Sequence, residues 1–521
     1  MRNIILLIVM LCTWTSCDLD LQSENALNYS NAFATESELN TTTSSILFYL
    51  NSFFSENLVP IMAGAVADEM SQENLDYRNG NPYVISSANP DWAMLYNVIF
   101  ESNLLLDNIG NTKGLSEERY NFHCGQANFA MGLAYFALAQ RYGDCVITNN
   151  SSDLVMYSTS PMLEVIDKAI QCARRGYEQL PVFEQLKGMN GTSVTSKQYA
   201  CKGTCAALLA HLYAWKGSVI ELYKLDGNSQ EAYGKSVEYA SLLIDRKAGN
   251  YSLCSTPEEL CTHLSIRGDN NPEAIFTFPF DVARSEYTVT PNVVGTYYVS
   301  WPVDQFQTEG DLAFTPSLRI YKQTVSEMYP DETDARRSAF FYEWDEQHVV
   351  EGDHGEQDYA IMYKFRKGLI SQDQSSTGGG YFRSLDADYV YWRLADIILL
   401  RAECYAKLNQ TGPAEKDLNT IRNRSEAVEY PSGHDTNLQL AIFKEREREF
   451  IGENDGRYFD IMRNNYIKTE LQGYFIELTW SDIQGGALFL PIPIGAYKDS
   501  SSGLIINTNI RQKSYWHKFI K

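Results

Sequence analysis

Apolar residues recur with helical spacing in two long blocks of the chain. In the first block, Trp92, Leu95, Tyr96 and Ile99 form an i, i+3, i+4, i+7 stripe. The segment GQANFAMGLAYFALAQRYGD follows, and its alanines and glycines predict a closely packed helix over residues 126–142. Further helices are predicted in SPMLEVIDKAIQCARRGYEQLP, SKQYACKGTCAALLAHLYAWKGSVIELY and SQEAYGKSVEYASLLID.

The second helical block is DADYVYWRLADIILLRAECYAKLNQTGPAEKDLNTIRNRSE, in which small Ala402 and Ala414 lie on successive helices. This spacing resembles tetratricopeptide helix pairs, in which small residues let the paired helices approach. NLQLAIFKEREREFIGENDGRYFDIMR supplies another pair, and the charges at Glu445, Arg446 and Glu449 predict a helix face lined with salt bridges. We therefore predict a mostly α fold, a tetratricopeptide-like scaffold of about four helix pairs, two on each side of the middle of the chain.

The middle of the chain, residues 251–388, has a different character. Glycine, proline, aspartate and asparagine interrupt short β-rich runs such as AIFTFPF and TVTPNVVGTYYVSW, and SQDQSSTGGG is flexible in composition. Long irregular connections commonly carry function. We expect a loop-rich, partly β insert over 251–388 that carries the ligand site, between helical regions 17–250 and 389–521.

The N-terminus has the pattern of a bacterial lipoprotein signal. Arg2 precedes the apolar run Ile4–Cys12, which is too short for a membrane span of about 20 residues. Cys17 follows small polar residues, so we predict a signal peptide over 1–16 and an acylated Cys17 that holds the protein at a membrane. Trp14 stands where such signals usually carry an aliphatic residue, and an ordinary secretory signal with an incidental Cys17 is the alternative.

Composition excludes one class of partner. The chain of 521 residues has a net charge of −23, which argues against nucleic acid because phosphates would be repelled. Its hydrophobic content of 44% is ample for a core, and 34 tyrosines raise the aromatic share to 13%. Tyrosine offers a flat apolar face and a hydroxyl, which suits both helix packing and stacking on sugars or peptides.

The ten cysteines and one acidic stretch are candidates for structural or metal sites. Outside Cys12 and Cys17, Cys201 and Cys205 are one helical turn apart, and Cys254 and Cys261 can close a short loop. No second pair stands at zinc-ligand spacing, so we expect small core residues with at most one disulfide. WDEQHVVEGDHGEQDY is rich in oxygen and imidazole ligands but fits no EF-hand, and we predict a solvated acidic loop, with no metal and no cofactor.

Several segments together resemble the SusD/RagB family. YWRLADIILLRAECYAKLN, AEKDLNTIRNRS, ERERE and GRYFDIMR are similar to its C-terminal half, and LFLPIPIGAYKDSSSGLIINTNIRQKSYW to its ending. DWAMLYNVIFESNLLLDNI and the helix after it resemble the N-terminal half. With the lipoprotein signal, the resemblance covers essentially the whole mature chain, and the motifs are specific in combination.

The resemblance implies a lipid-anchored protein on the outer face of the outer membrane. Its partner would be a SusC-like TonB-dependent transporter, over which such proteins sit as a lid. The protein would capture an oligosaccharide, or in some members a peptide, and deliver it without catalysis. The helix pairs would then face the transporter, and the irregular loops would hold the ligand.

Two loop regions combine aromatic faces with side chains that hydrogen-bond hydroxyl groups. The first, VADEMSQENLDYRNGNPY, supplies Asp68, Tyr77, Asn81 and Tyr83. The second, RSEYTVTPNVVGTYYVSWPVDQF, supplies Arg284, Tyr287, Tyr297, Tyr298 and Trp301, and Trp344 is added from the acidic stretch. These rings can instead pack beneath a loop. Adjacent residues of a strand point to opposite faces, so at least one of Tyr297 and Tyr298 would face inward.

Two other functions stay open at this point. A glycoside hydrolase needs only a pair of carboxylates, which an acidic chain easily supplies, although no Gly-x-Ser-x-Gly elbow, phosphate loop or dinucleotide fingerprint is present. A tetratricopeptide scaffold can also bind protein alone.

Overall fold

A computed structural model describes residues 33–56, 62–88, 91–268, 270–280, 294–371, 380–453, 456–499, 501–502 and 504–520. The helices are α1 Glu36–Glu56, α2 Gln72–Arg78, α3 Pro82–Ala88, α4 Ala93–Asn108, α5 Glu117–Tyr142, α6 Met162–Gln179, α7 Lys202–Tyr223, α8 Ser229–Ile244, α9 Pro257–Leu264, α10 Lys322–Met328, α11 Arg336–Phe340, α12 Leu394–Lys407, α13 Thr411–Arg424, α14 Leu438–Phe450, α15 Gly456–Asn464, α16 Ile467–Glu470, α17 Tyr474–Glu477 and α18 Trp480–Gln484. The strands are β1 Glu69–Met70, β2 Cys145–Val146, β3 Thr159–Ser160, β4 Ala274–Phe278, β5 Leu318–Tyr321, β6 Val349–Gly352, β7 Gly355–Ala360, β8 Gly368–Ser371, β9 Tyr381–Leu385 and β10 Tyr389–Arg393.

Paired helices form the scaffold, and the predicted helical architecture is confirmed. Helix α5 pairs with α6, α7 with α8 and α12 with α13, and α14 packs on α12. Helix α6 packs on α7 and α8 packs on α12, so the array is continuous in space although the middle segment separates α8 from α12 in sequence. Helices α1 and α4 add a further layer against α5.

Small residues bring paired helices close together, as the composition predicts. A Cβ atom on Gly217 of α7 would lie 2.6 Å from Cε1 of Tyr233 on α8, and one on Gly132 of α5 would lie 3.2 Å from the Ala169 carbonyl on α6. Helix α5 starts at Glu117 rather than at residue 126. The cause is local, because the Ser116 hydroxyl caps it by accepting from the Arg119 amide at 3.2 Å.

Three strands of the middle segment and β1 form a four-stranded sheet in the order β1-β5-β7-β6, with antiparallel neighbours. The predicted acidic loop is wrong, since its residues form the β6–β7 hairpin, in which Val349 pairs with Asp358 and Gly352 with Gly355. Gly355 adopts a φ of 85°, which a turn can take at little cost only with glycine. The β-branched valines of β6 favour the extended partner strand.

The predicted β-rich run around Tyr297 also does not form a strand in its described part, residues 294–301. Residues Val294–Tyr298 form a 3-10 helix, continued by a bond from the Val299 amide to the Thr296 carbonyl at 3.3 Å. A Cβ atom on Gly295 would lie 2.5 Å from the Phe365 ring and 2.9 Å from the Gly452 carbonyl. This close approach to neighbouring elements bends the chain, whereas the β-branched composition alone favours extension.

The charged face of α14 carries the predicted salt bridges, and it is buried. Glu445, Arg446 and Glu449 are at most 3% exposed. The insert covers this helix and supplies partners for its charges, so the same i, i+3 pattern lies inside the protein. The main buried network consists of Arg336, Lys364, Arg393, Arg422 and Arg424 with Glu273, Asp334, Glu445, Glu449 and Glu453.

The eight described cysteines are all buried, as predicted for core residues, and none is joined to another. Burial raises the pKa of the Cys205 thiol well above its usual value. Within the described ranges, no helix is long and apolar enough to cross a membrane. The same residues contain no group of three or more histidine, cysteine or acidic side chains placed to hold a metal ion.

Candidate ligand-binding site

Trp301 lies on the four-stranded sheet of the insert, over a small apolar cluster apart from the main core. The cluster consists of Leu312, Ala313, Tyr359 and Ile361, with half-buried Trp301 and Tyr342 packed against it. The Trp301 and Tyr342 rings meet edge to face, with centroids 5.3 Å apart and planes at 81°. Such a contact fixes the orientation of both rings while leaving part of each uncovered.

A polar pair borders these two rings. The His348 ring lies 6.4 Å from Trp301 and 6.4 Å from Tyr342, and its Nδ1 is 2.8 Å from the Glu309 carboxylate. Among the described residues, His348 Nε2 has no hydrogen-bond partner, although the side chain is buried. The arrangement places an imidazole nitrogen and a half-exposed carboxylate beside two aromatic rings.

Strand β1 brings the first loop to this sheet. Asp68 accepts hydrogen bonds from the Tyr321 amide at 2.6 Å and the Thr324 hydroxyl at 2.7 Å. Glu69 accepts from the Tyr321 hydroxyl at 2.6 Å and from Arg319 Nε at 2.8 Å. Burial alone would raise the pKa of Glu69, but the bonds from Tyr321 and Arg319 outweigh it and lower the pKa. Both carboxylates therefore hold β1 on β5.

The remaining predicted residues of the second loop are less accessible. Tyr298 is buried, and its hydroxyl donates to the Val66 carbonyl at 2.8 Å, so this ring joins the two loops and is not an exposed platform. Tyr297 is half-buried against the main core. Tyr298 therefore faces inward, which agrees with the prediction that at least one of the two tyrosines does so. The two residues lie on a 3-10 helix, however, and not on a strand.

Trp344 is half-buried on the same segment, but its faces are partly occupied. Phe341 packs at 5.9 Å, and Lys322 Nζ and the Arg337 guanidinium each lie 5.1 Å from the ring centroid. A sugar stacking on Trp344 would have to displace one of these cations.

Tyr77, Asn81 and Tyr83 are not grouped with Trp301, because they face the C-terminal segment. Tyr83 is 61% exposed and meets Phe519 edge to face at 5.2 Å. Asn81 donates to Asp76 at 2.9 Å and accepts from the Tyr83 amide at 3.1 Å. Tyr77 lines a cavity of about 30 Å³, which holds roughly one water molecule. Cys17, Arg284 and Tyr287 lie outside the described residues.

Tyr342, Glu309 and His348 were missed by reasoning from the sequence. One signal was present, since His348 lies in the acidic stretch that supplied Trp344, and Tyr342 stands two residues before that stretch. The pairing of Tyr342 with Trp301, however, depends on how the insert folds back on itself. No spacing along the chain encodes that contact.

An array of helix pairs with an aromatic patch on an irregular insert defines a helical-repeat binding protein. Two family models match the chain: the SusD family over residues 352–482, and a SusD-like family described as starch-binding and associating with the outer membrane over residues 19–197. The chain belongs to the SusD/RagB family. The matched families are families of binding proteins, and no catalytic family is indicated.

Individual relatives share the architecture at low identity. A SusD-like protein of Formosa agariphila is 22% identical over 441 residues, which cover 78% of this chain and 76% of that protein. A SusD homologue of Bacteroides thetaiotaomicron superposes with a TM-score of 0.70 and 20% identity, covering 92% of this chain and 98% of its own. NanU of Bacteroides fragilis superposes with a TM-score of 0.66 and 18% identity, covering 94% of this chain and 99% of its own. At these identities the solved structures establish the fold alone.

Proposed function

We propose that this protein is a lipoprotein, anchored through Cys17 at the cell surface, that captures an oligosaccharide and delivers it uncleaved to a SusC-like TonB-dependent transporter. The family description, starch-binding and outer-membrane-associated, supports glycan uptake at the level of the family. The observation that carries the proposal for this chain is the edge-to-face pair of Trp301 and Tyr342.

The chemistry of this pair suits a sugar ring. The apolar face of a pyranose stacks on an indole, and the Glu309 carboxylate and His348 imidazole beside the rings can exchange hydrogen bonds with its hydroxyls. Because Tyr342 already holds the Trp301 ring, little side-chain entropy is lost when a ligand binds. Asp68 supports the same surface by holding β1 on β5.

Calorimetric titration of the mature protein with oligosaccharide and peptide panels tests capture. Trp301→Ala should weaken binding about 5- to 150-fold, the range expected for losing one aromatic contact worth about 1–3 kcal/mol. Tyr297→Ala and Tyr77→Ala test the other predicted rings, and Phe100→Ala removes an exposed aromatic from helix α4 as a control. Each variant must keep the melting temperature of wild type, so that a loss of affinity reports a lost contact with the ligand and not a loss of fold.

The outcomes separate the alternatives. Affinity for peptides alone would support peptide capture, and products appearing during incubation would identify a hydrolase. Normal glycan binding by Trp301→Ala would place the site elsewhere, with Trp344 and Tyr83 tested next.

An exposed apolar patch supports docking on the transporter. Two loop tips supply it, and each of its side chains is at least half exposed: Leu154, Val155, Met156, Leu504, Ile505 and Ile506. The tips are tied together, because Asn509 Nδ2 donates to the Met156 carbonyl at 3.0 Å and Asn507 Nδ2 donates to the Tyr157 carbonyl at 3.1 Å. A fixed apolar patch on a soluble surface is typical of an interaction site.

The position of this patch favours the transporter as its occupant. Asp107 at the end of α4 accepts from the Ser151 amide and hydroxyl, both at 2.8 Å, and so holds the loop that carries Leu154. Five residues along from Asp107, the Thr112 hydroxyl donates to the Phe33 carbonyl at 2.7 Å. The described chain begins at Phe33, and Cys17 lies sixteen residues before it in sequence. The shared support from the end of α4 is in keeping with our proposal that the patch faces the transporter.

Co-purification with the transporter from outer membranes tests this part of the proposal. The double variant Leu154→Asp, Ile505→Asp should lose the transporter while remaining lipid-anchored, and Val428→Asp, at an exposed site elsewhere, should retain it. Retention by the double variant would contradict docking through the patch. If the double variant instead bound protein-free lipid vesicles less well than wild type does, the patch would be identified as a contact with the membrane surface.

A further inference from the structure

A cavity of about 460 Å³ lies in the C-terminal segment of the chain. One wall is a pair of extended segments, in which Lys498 is the β-bridge partner of Ile505. Residues 507–512 and the turn before Ile520 supply most of the remaining lining. The volume lies within the range of about 300–1,000 Å³ that is usual for small-molecule sites.

Basic side chains line this cavity, and no acidic residue of the described chain does. The basic residues are Lys498, Arg511 and His517. The chain as a whole has 66 acidic residues against 43 lysines and arginines, so the cavity has the opposite balance of charge. Among the described residues, none of the three basic side chains has a hydrogen bond or an ion pair. The cavity therefore carries about two uncompensated positive charges at pH 7, from the lysine and the arginine.

The carboxylate that follows Lys498 in the chain is engaged elsewhere. Asp499 Oδ1 accepts from the hydroxyls of Ser501 and Ser502, each at 2.7 Å, and from the Ser502 amide at 2.7 Å. The two hydroxyls and these amides lower the pKa of Asp499. Its charge is thus used to close a turn, and the ammonium group of Lys498 is left for a ligand.

The backbone that carries the cations is held in place. The Lys498 amide donates to the Ile494 carbonyl at 2.9 Å. Gln512, the neighbour of Arg511, accepts from the Ile492 amide at 2.9 Å and donates to the Ile492 carbonyl at 2.8 Å. Because the backbone is already ordered, binding costs only the freedom of the side chains.

The rest of the lining is largely apolar. Ile505, Ile510 and Ile520 supply aliphatic surface, and Tyr497 supplies an aromatic ring. Thr508 adds a hydroxyl that can donate to an oxygen. An anion with an apolar organic group attached matches this combination.

The number of charges favours phosphate over other anions. A phosphate monoester carries a charge of about −1.5 to −2 at pH 7 and presents three acceptor oxygens. Lys498 and Arg511 match that charge, and the guanidinium fork of Arg511 suits the geometry of phosphate. The imidazole of His517 adds an N–H donor. A carboxylate or a sulfate monoester carries one negative charge and leaves one of the two cations uncompensated.

We propose that this cavity binds a phosphate monoester, with Lys498 and Arg511 paired to the phosphate oxygens and the organic group against the isoleucines. A soluble ester and a lipid head group share this chemistry. The site does not depend on capture at Trp301, with which it has no residue in common, and it meets the exposed apolar patch only at Ile505.

Saturation-transfer-difference NMR tests the site with phenyl phosphate and the mature protein, expressed without its signal peptide so that Cys17 carries no lipid. Phenyl sulfate and benzoate keep the ring with a single negative charge, and benzyl alcohol keeps it with none. We expect phenyl phosphate to bind most tightly. Its Kd should rise at least about 10-fold in the double variant Lys498→Gln, Arg511→Gln, because two charge-assisted contacts are lost.

The matched control is the double variant Lys113→Gln, Arg175→Gln, which removes two positive charges at exposed sites outside the C-terminal segment. It should bind phenyl phosphate as wild type does, and a loss equal to that of Lys498→Gln, Arg511→Gln would refute a local site. Absence of saturation, or an unchanged Kd in Lys498→Gln, Arg511→Gln, would overturn the proposal. Tighter binding of phenyl sulfate, benzoate or benzyl alcohol would overturn the assignment to phosphate.

Melting temperatures show whether the double variant keeps its fold, which we expect because neither cation has a partner in the folded protein. If it melts early, His517→Ala at an exposed site decides, and it should also raise the Kd for phenyl phosphate. An unchanged Kd in His517→Ala would then overturn the proposal.

Two further probes identify the source of the phosphate. Glycerol phosphate is tested by the same NMR experiment, and co-sedimentation tests vesicles of equal parts phosphatidate and phosphatidylcholine against phosphatidylcholine alone. Binding that is lost in Lys498→Gln, Arg511→Gln assigns the site to a soluble ester in the first case and to a lipid head group in the second. Binding of neither probe by wild type would contradict the proposal. Trp301→Ala should change neither result, so a failure of glycan capture is distinguished from a failure of this site.

Discussion

Arg393 and Glu449 form a buried ion pair that joins strand β10, which directly follows the insert, to helix α14. Arg393 Nη1 lies 2.7 Å from Glu449 Oε1, and the two side chains are 2% and 0% exposed. Glu449 also pairs with Arg336 and Arg424. Residues distant in sequence thus share one charge network at the junction between the insert and the helical array.

Removing Glu449 should strongly destabilise the protein. Glu449→Ala removes the carboxylate that three buried guanidinium groups share. Because their charges are then uncompensated, we expect the free energy of unfolding to fall by about 3–5 kcal/mol. Urea denaturation monitored by circular dichroism measures the change. Glu238→Ala is the control, because its pair with Lys235 is exposed and should contribute less than about 1 kcal/mol. Similar losses in the two variants would show that the network is not a stabilising junction.

Glu403 should make stability depend on pH below the neutral range. Burial alone would raise the pKa of Glu403, but Arg463 at 2.6 Å lowers it from the usual 4.5 to about 2. A lowered pKa in the folded state contributes stability above pH 4.5, and that stability is lost as the pH falls from about 4.5 to about 2.

The contribution of Glu403 at pH 7 is about 3 kcal/mol on this basis. Glu403→Gln should therefore be less stable than wild type at pH 7. Urea titrations repeated at about pH 4 and about pH 3, between the two pKa values, should show a smaller difference in the free energy of unfolding. A difference that stays constant with pH would contradict the assignment.

Close packing of α7 on α8 predicts opposite effects for two glycines. Gly217→Ala places a Cβ atom 2.6 Å from the Tyr233 ring. That ring is held in place because the Tyr233 hydroxyl donates to the Glu221 carboxylate at 2.8 Å. We expect this variant to lose about 1–3 kcal/mol of unfolding free energy. Gly234→Ala, in α8, meets no atom within 4 Å and should gain about 0.5–1 kcal/mol through helix propensity. Equal effects in thermal melts would refute close packing at Gly217.

The edge-to-face contact predicts that the ring of Tyr342, and not its hydroxyl, supports ligand capture. Tyr342→Phe should keep the affinity for the oligosaccharide, whereas Tyr342→Ala frees the Trp301 ring and should weaken binding by about 0.5–1.5 kcal/mol, or roughly 2- to 13-fold. Calorimetric titration compares the two. A loss in Tyr342→Phe as large as in Tyr342→Ala would assign the effect to the hydroxyl.

Surface anchoring is predicted to depend on Cys17. Cys17→Ala removes the acylated thiol, and the protein should leave the outer-membrane fraction on sedimentation, detected by immunoblotting. Cys12→Ala, within the signal run, should stay anchored. Membrane retention of Cys17→Ala equal to that of wild type would disprove lipidation at this residue.

The sequence alone determined the helix-pair architecture and the family, because helical spacing and small residues are local properties of the chain. Gly217 permits close approach wherever its helix lies, and Ser116 caps its own helix. The β-rich run at Ala274–Phe278 was likewise predicted and forms β4. Such features depend on neighbours a few residues away.

Only the tertiary structure decided which charged faces are buried and which aromatic rings meet. Glu445 and Glu449 have the spacing of a salt-bridged helix face, and they lie inside because Arg336 of the insert and Arg393 of β10 pack against them. Trp301 meets Tyr342 because the insert folds back on itself. The free energy of a charge, a ring or an amide depends on what surrounds it in space, and that surrounding comes from segments far away in the chain.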